Sequence, residues 1–222
     1  ESIEDPVKYN DVNVNGTLNV LKVAKDNGVK RVVYSASCAA YGDQKQMPIR
    51  EDASINPISP YGLQKYVGEL YCKMFADVYK LETLSLRYFN VYGPRQSFDG
   101  PYSLVMGIFL RQRLNGEPMT IVGDGEQKRD YVSVLDIVNA NILAATSDKV
   151  GNGEVINIGT GKNYTVNDLA KMIGGKTVNL PSRLEPRETL ADNTKAGELL
   201  GWAPRVNLVE WLAEYKKEIG LK

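Results

Sequence analysis

The chain has 222 residues, 43% hydrophobic and 24% charged, with 27 Lys and Arg balanced by 27 Asp and Glu. These values sit near globular averages and exclude disordered, collagenous and disulfide-scaffold classes, while the missing basic surplus argues against a nucleic-acid partner. The longest apolar stretch, Tyr102 to Leu110, stops at Arg111, far short of the ~18 residues of a membrane span, so no membrane partner is expected.

Taken in chain order, the periodicity switches repeatedly between helix and strand, the pattern of βα units around a mostly parallel sheet. Asp5-Pro6 opens a helix that runs to a glycine stop at Asn27-Gly28. Arg31 to Ser35 reads as a buried strand, Tyr41 to Pro60 as a long polar loop, Tyr61 to Lys80 as a second long helix and Leu84 to Tyr88 as the next strand. Asn90 to Gly100 has the Gly, Pro and Asp density of a loop. Beyond it come a helix over Leu104–Leu114, a strand at Thr120–Val122, a turn at Gly123-Asp124-Gly125 and a helix over Val134–Thr146. Val155–Ile158 is a strand, Thr165 to Asp168 is an N-cap with an acidic first turn, and two short helices, Asn193–Leu200 and Asn207–Ile219, close the chain.

The sequence contains no histidine, which removes Ser-His-Asp triads, zincin sites and the commonest metal ligand, and no metal site is expected. Any acid–base chemistry must pass through Tyr, Lys, Asp, Glu, Ser or Cys. Only Cys38 and Cys72 are present, and the first ten residues, ESIEDPVKYN, are too polar for a signal peptide, so a reducing cytoplasm is the default expectation.

Two constellations carry chemistry. Tyr61 and Lys65 stand four apart on a predicted helix opening after Ser59-Pro60, which puts both side chains on one face. A neighbouring ammonium favours phenolate, so such a pair makes a general base without histidine; the same spacing also suits an amphipathic helix with one exposed lysine. The second is Tyr34-Ser35-Ala36-Ser37-Cys38, small hydroxylic residues where a strand leaves the sheet, the place where open α/β sheets bind ligands. Ser37 there suits a substrate hydroxyl, or a turn serine satisfying backbone.

In this order, and with Asn13–Thr17, Arg87–Pro94, Gly123–Val132, Asn157–Gly159 and Leu190–Asp192, the motifs resemble the extended short-chain dehydrogenase/reductase superfamily, specifically nucleotide-sugar epimerases of the UDP-glucose 4-epimerase type. The resemblance covers nearly the whole chain. It implies an α/β fold with a Rossmann-like, mostly parallel sheet lacking its N-terminal part and a smaller C-terminal α/β substrate lobe. Residues 1–100 would be the C-terminal portion of the NAD-binding domain. Residues 101–222 would be mainly the nucleotide-sugar lobe, with some elements returning to the first.

The resemblance further implies that Tyr61 takes the proton from the sugar 4-hydroxyl as hydride passes to NAD, that Ser37 hydrogen-bonds that hydroxyl, and that Lys65 depresses the Tyr61 pKa and holds the nicotinamide ribose. Asn13, Ser35 and Phe89 would join Tyr61 and Lys65 at the cofactor, with Phe89 at the nicotinamide. Asn90, Arg129 and Arg183 would hold the diphosphate of the UDP-sugar, with Arg187 an alternative to Arg183 because this region is one residue shorter than the family form. Val105 and Thr189 would complete the substrate site, Thr189 as a small gate beside the C2 substituent that admits N-acetylated sugars. Arg129 also suits a plain surface ion pair with Asp130. The two long helices would build a homodimer through a four-helix bundle, with Val67, Leu70 and Met74 as candidate contacts.

One departure is an absence: no Gly-rich turn of the type that cradles a cofactor pyrophosphate occurs in the chain. The expectation is a fragment lacking on the order of 80 residues on its N-terminal side. Such a fragment exposes the Arg31–Tyr34 strand as a sheet edge and by itself binds NAD poorly. A dehydratase or decarboxylase of the same fold is disfavoured by Ala39-Ala40 before Tyr41-Gly42, where those relatives carry acidic residues. A non-catalytic UDP-sugar-binding fragment is the remaining alternative.

Overall fold

The computed structural model describes residues 2–100 and 103–221; Tyr102, where the longest apolar stretch begins, lies outside them. The first helix opens as α1 (Pro6–Asn10), with Pro6 in its first turn and the Asp5 carboxylate accepting from the Lys8 amide. A π-helical turn (Asp11–Asn15) joins it to α2 (Gly16–Asp26), where a single continuous α-helix was expected. Such turns cluster at functional positions because the extra residue re-aims a side chain. Here Asn13, inside the turn, donates to the Gln64 side chain at 3.1 Å. Gly28, at φ 66°, ends the helix as the stop signal predicts.

Strand β1 (Arg31–Ser37) is followed by a 3-10 turn (Cys38–Ala40), then by α3 (Pro60–Tyr79), capped by Ser59 with Pro60 in its first turn. Strand β2 (Glu82–Tyr88) pairs parallel with β1, and β6 (Asn152–Ile158) pairs parallel with β2 on its other side. The fold is α/β. Leu84, Leu86, Ile156 and Ile158 are fully buried, the near-continuous apolar signature of a sheet covered on both faces. Among the described residues, β1 has a strand neighbour on one side only.

Asn90–Tyr92, expected in a loop, is strand β3. It pairs parallel with β5 (Lys128–Ser133), which in turn pairs antiparallel with β7 (Asn163–Thr165). Strand β4 (Met119–Val122) pairs with β8 (Thr177–Leu180). Helices α4 (Val105–Leu114), α6 (Val166–Ile173) and α8 (Leu208–Glu218) surround a second core containing Phe109, Leu110, Leu169 and Leu212. The predicted cap at Thr165 is a full capping box with Asp168. Helices α5 (Val134–Thr146) and α7 (Thr194–Leu200) return to the first sheet, contributing Ile137, Ala140, Ala196 and Leu200 to its core. No described helix is long and apolar enough to cross a membrane.

Candidate active site

Ser37 is the last residue of β1, and its hydroxyl accepts from the Ala39 amide at 3.2 Å, turning the chain out of the sheet. The N-terminus of α3 lies directly against this turn. A Cβ on Gly62 would stand 2.5 Å from the Ala39 carbonyl oxygen, so only glycine permits the approach. That contact brings Tyr61 and Lys65, on successive turns of α3, to the carboxyl end of β1. The Lys65 ammonium donates to the Ser35 carbonyl at 2.9 Å and lies 5.9 Å from the Tyr61 ring centroid and 5.0 Å from that of Tyr34.

The electrostatics differ from the expected ones. Burial pushes the Tyr61 phenol above its ordinary value, and its interaction with the Ser37 hydroxyl offsets only part of this. Burial pulls the Lys65 ammonium down. The expected depression of Tyr61 by Lys65 is therefore absent from this arrangement. The lysine points to a backbone carbonyl and two ring faces rather than to the phenolic oxygen, while the phenol itself is desolvated.

The other candidates fall in several places. Ser35 is exposed at the mouth of a groove of about 410 Å³ that Gly16, Thr17, Val20 and Lys65 also line. Phe89 follows β2, its ring buried at 3% exposure in the sheet core and its amide donating to the Ile158 carbonyl. Half-buried Asn90 opens β3 opposite Tyr131. Half-buried Val105 begins α4 and packs against the second core.

Arg129 pairs not with Asp130 but with Glu185, Nη2 donating to Oε2 at 2.7 Å, and it is buried. Asp130 points to the other face of β5. There it accepts from the Thr160 amide and hydroxyl and from the Gly161 and Ala191 amides. Adjacent side chains of a strand face opposite ways, which is why the surface pair does not form. Arg183 is 71% exposed and 3.7 Å from Glu185, whereas Arg187 holds Asp124 at 2.9 Å. Arg183, Arg187, Glu185 and Gln127 line a cavity of about 420 Å³. Thr189 is buried, and its hydroxyl accepts from the Asp130 amide at 3.4 Å. Cys38 opens the 3-10 turn directly after Ser37. Its thiol is pushed up to about 12 by burial and next by the Asp130 carboxylate, with Arg129 acting oppositely.

Residues 1–159 match the NAD dependent epimerase/dehydratase family. The chain belongs to that family. It is 37% identical over 222 residues to the UDP-glucose 4-epimerase of Mycolicibacterium smegmatis, covering 96% of this chain and 70% of that relative. Among solved structures it is similar to the UDP-glucose 4-epimerase of Thermotoga maritima with UDP-glucose, at TM-score 0.91 and 42% identity over 98% of this chain and 73% of that one. It is also similar to the UDP-N-acetylglucosamine 4-epimerase of Methanobrevibacter ruminantium in complex with UDP-N-acetylmuramic acid, at TM-score 0.90 and 38% identity over 97% and 71% of the two chains.

NAD is the cofactor of this family, and the groove beside β1 has the donor set for its ribose end. Lys65 brings three N–H donors on a cation, of which the Ser35 carbonyl takes one, and Ser35 itself adds an exposed hydroxyl. Sequence reasoning missed Tyr34 and Glu185. Tyr34 reads as one more apolar residue of a buried strand, and Glu185 is 56 residues from its arginine. Neither position carries a local signal.

Proposed function

We propose that this chain is an NAD-dependent 4-epimerase of UDP-hexoses. The observation that carries the reading is the convergence of Ser37, Tyr61 and Lys65 at the carboxyl end of β1, in a chain without histidine. Bound NAD supplies the hydride acceptor that the sugar carbon needs. Tyr61 removes the 4-hydroxyl proton as general base, and Ser37 orients that hydroxyl. Lys65 binds the cofactor ribose, and with cofactor and substrate bound its positive charge favours the Tyr61 phenolate. Asn13, Ser35 and Phe89 join Tyr61 and Lys65 on the cofactor side, with Asn13 fixed in the π-turn by its bond to Gln64 and Ser35 lining the groove. Asn90, Val105, Arg129, Arg183 and Thr189 form the nucleotide-sugar side, where Arg129 exchanges Glu185 for diphosphate. In this reading residues 1–100 are the cofactor half, with later elements returning to their sheet, and residues 101–222 are mainly the substrate lobe. Once NAD is bound, UDP-glucose should convert to UDP-galactose, read from the anomeric proton signals. No conversion by the NAD-loaded protein would sink the reading.

Sugar choice is the finer proposal. Thr189 is small, which favours a pocket that admits N-acetylated UDP-hexoses beside the plain ones. Thr189→Tyr adds bulk at a filled position, a cost of ~1–3 kcal/mol, and should lower turnover of acetylated sugars relative to plain ones. The ratio of the two activities is unaffected by general loss of folded protein, and an unchanged ratio removes Thr189 as the gate.

The assembly proposed is a homodimer. Leu63, Val67, Leu70 and Met74 form a stripe along α3, with Leu63 52%, Leu70 51% and Met74 39% exposed. Apolar surface of this extent on paired helices favours a cover by a second copy through a four-helix bundle. Light scattering at micromolar concentration should give twice the chain mass, and Leu70→Glu should give one. Two unpaired cysteines support a cytoplasmic setting.

A further inference from the structure

We propose that Tyr34 is a positioning residue for Lys65, its ring face holding the ammonium at the cofactor end of β1; this rests on the function proposed above. The Lys65 Nζ lies 5.0 Å from the Tyr34 centroid, within the ~6 Å over which a ring quadrupole attracts a cation. One of its three donors is taken by the Ser35 carbonyl at 2.9 Å. A half-buried ammonium with a single acceptor is poorly solvated, and the Tyr34 ring supplies the missing electrostatic contact on a second side. With the Tyr61 ring centroid 5.9 Å away as a further neighbour, the ammonium also borders the groove that Gly16, Thr17 and Ser35 line.

The ring is held in place rather than loosely packed. Its hydroxyl donates to the Lys65 carbonyl at 3.4 Å and interacts with Thr17 of α2. It lies over Gly68, where a Cβ would come within 2.2 Å of the Tyr34 oxygen. Gly68 is thus the gap in α3 that admits the ring, one turn below the lysine it holds. Nothing in the apolar neighbours of this cluster, Leu21, Ala24, Cys72 and Phe75, requires an aromatic face there; a leucine would fill the same role in packing.

The test separates the ring from its bulk and from its hydroxyl. In protein with ¹³C-labelled lysine, the Lys65 ε-methylene signal should be displaced by the ring current in wild type and in Tyr34→Phe. It should move most of the way back toward the other lysines in Tyr34→Leu, leaving only the smaller contribution of the Tyr61 ring at 5.9 Å. In the NAD-loaded enzyme, Tyr34→Leu should lower kcat about tenfold with KM for the UDP-sugar little changed, and Tyr34→Phe should restore it. Gly68→Ala, which displaces the ring without altering it, should reproduce the leucine result if Tyr34→Leu does not fold. Equal impairment of the Phe and Leu variants, or an undisplaced Lys65 signal in wild type, overturns the proposal. If wild type shows the displaced signal but no epimerisation, the functional reading fails while the positioning role stands.

Discussion

Tyr61→Phe is expected to lower turnover at least ~100-fold, the range for loss of a positioned acid–base group, while leaving the fold intact. The substitution removes one oxygen atom from a half-buried ring at the start of α3, where the helix is secured by the Ser59 cap and by the Gly62 contact to the Ala39 carbonyl. Neither involves the phenol. The loss should therefore appear in kcat, with the thermal midpoint unchanged. No histidine exists to take over the proton. Wild-type turnover by the Phe variant would remove Tyr61 from the mechanism. Because burial raises the phenol and Lys65 does not oppose it in this arrangement, activity should fall as pH drops below the pKa that Tyr61 adopts with ligands bound. That limb should vanish in the Phe variant.

Glu69→Ala is expected to destabilise the protein by ~3–5 kcal/mol, because it strands a buried guanidinium. Arg87 donates from Nε to Glu69 Oε1 at 2.9 Å and from Nη2 to Oε2 at 2.6 Å, and the two side chains are 3% and 2% exposed. The pair joins α3 to β2 and extends into the loop that follows the 3-10 turn. Nη1 reaches the Glu51 carbonyl at 3.3 Å, and the guanidinium lies 4.5 Å from the Tyr41 ring centroid. Tyr41 donates in turn to Asn157 of β6 at 2.7 Å. Against a total stability of ~5–15 kcal/mol for a typical domain, loss of one carboxylate on this scale leaves much of the protein unfolded at moderate denaturant concentration. Replacing both residues by leucine should cost less than Glu69→Ala alone, since no charge is left unpaired. Denaturant midpoints of the three variants check this, and a loss below about 1 kcal/mol for Glu69→Ala would show that water reaches Arg87.

What the sequence determined by itself is local. The i, i+4 spacing of Tyr61 and Lys65, the Ser59-Pro60 start, the Gly28 stop and the Thr165–Asp168 box are all encoded within one or two helical turns. The lack of histidine, a matter of composition alone, confines proton transfer to phenol, ammonium, hydroxyl, thiol and carboxyl groups. Strands β3, β5, β7 and β8 escaped detection: unlike Thr120–Val122 they mix polar residues such as Asn90, Lys128, Asn163 and Asn179 into short segments where no apolar run stands out. Their partners come from distant segments, so that β3 meets β5 across the whole of α4. Contacts between charges were likewise decided only in three dimensions. Arg129 neighbours Asp130 in the chain, yet strand alternation turns the two apart and delivers Arg129 to Glu185 and Asp130 to the Thr160 turn. Phe89 shows the same limit, since which way a residue faces after leaving a strand depends on the layer packed against it. The direction of the Tyr61 and Lys65 shifts also belongs to the tertiary structure, because desolvation depends on everything that covers a group, while spacing records only its neighbours on one helix.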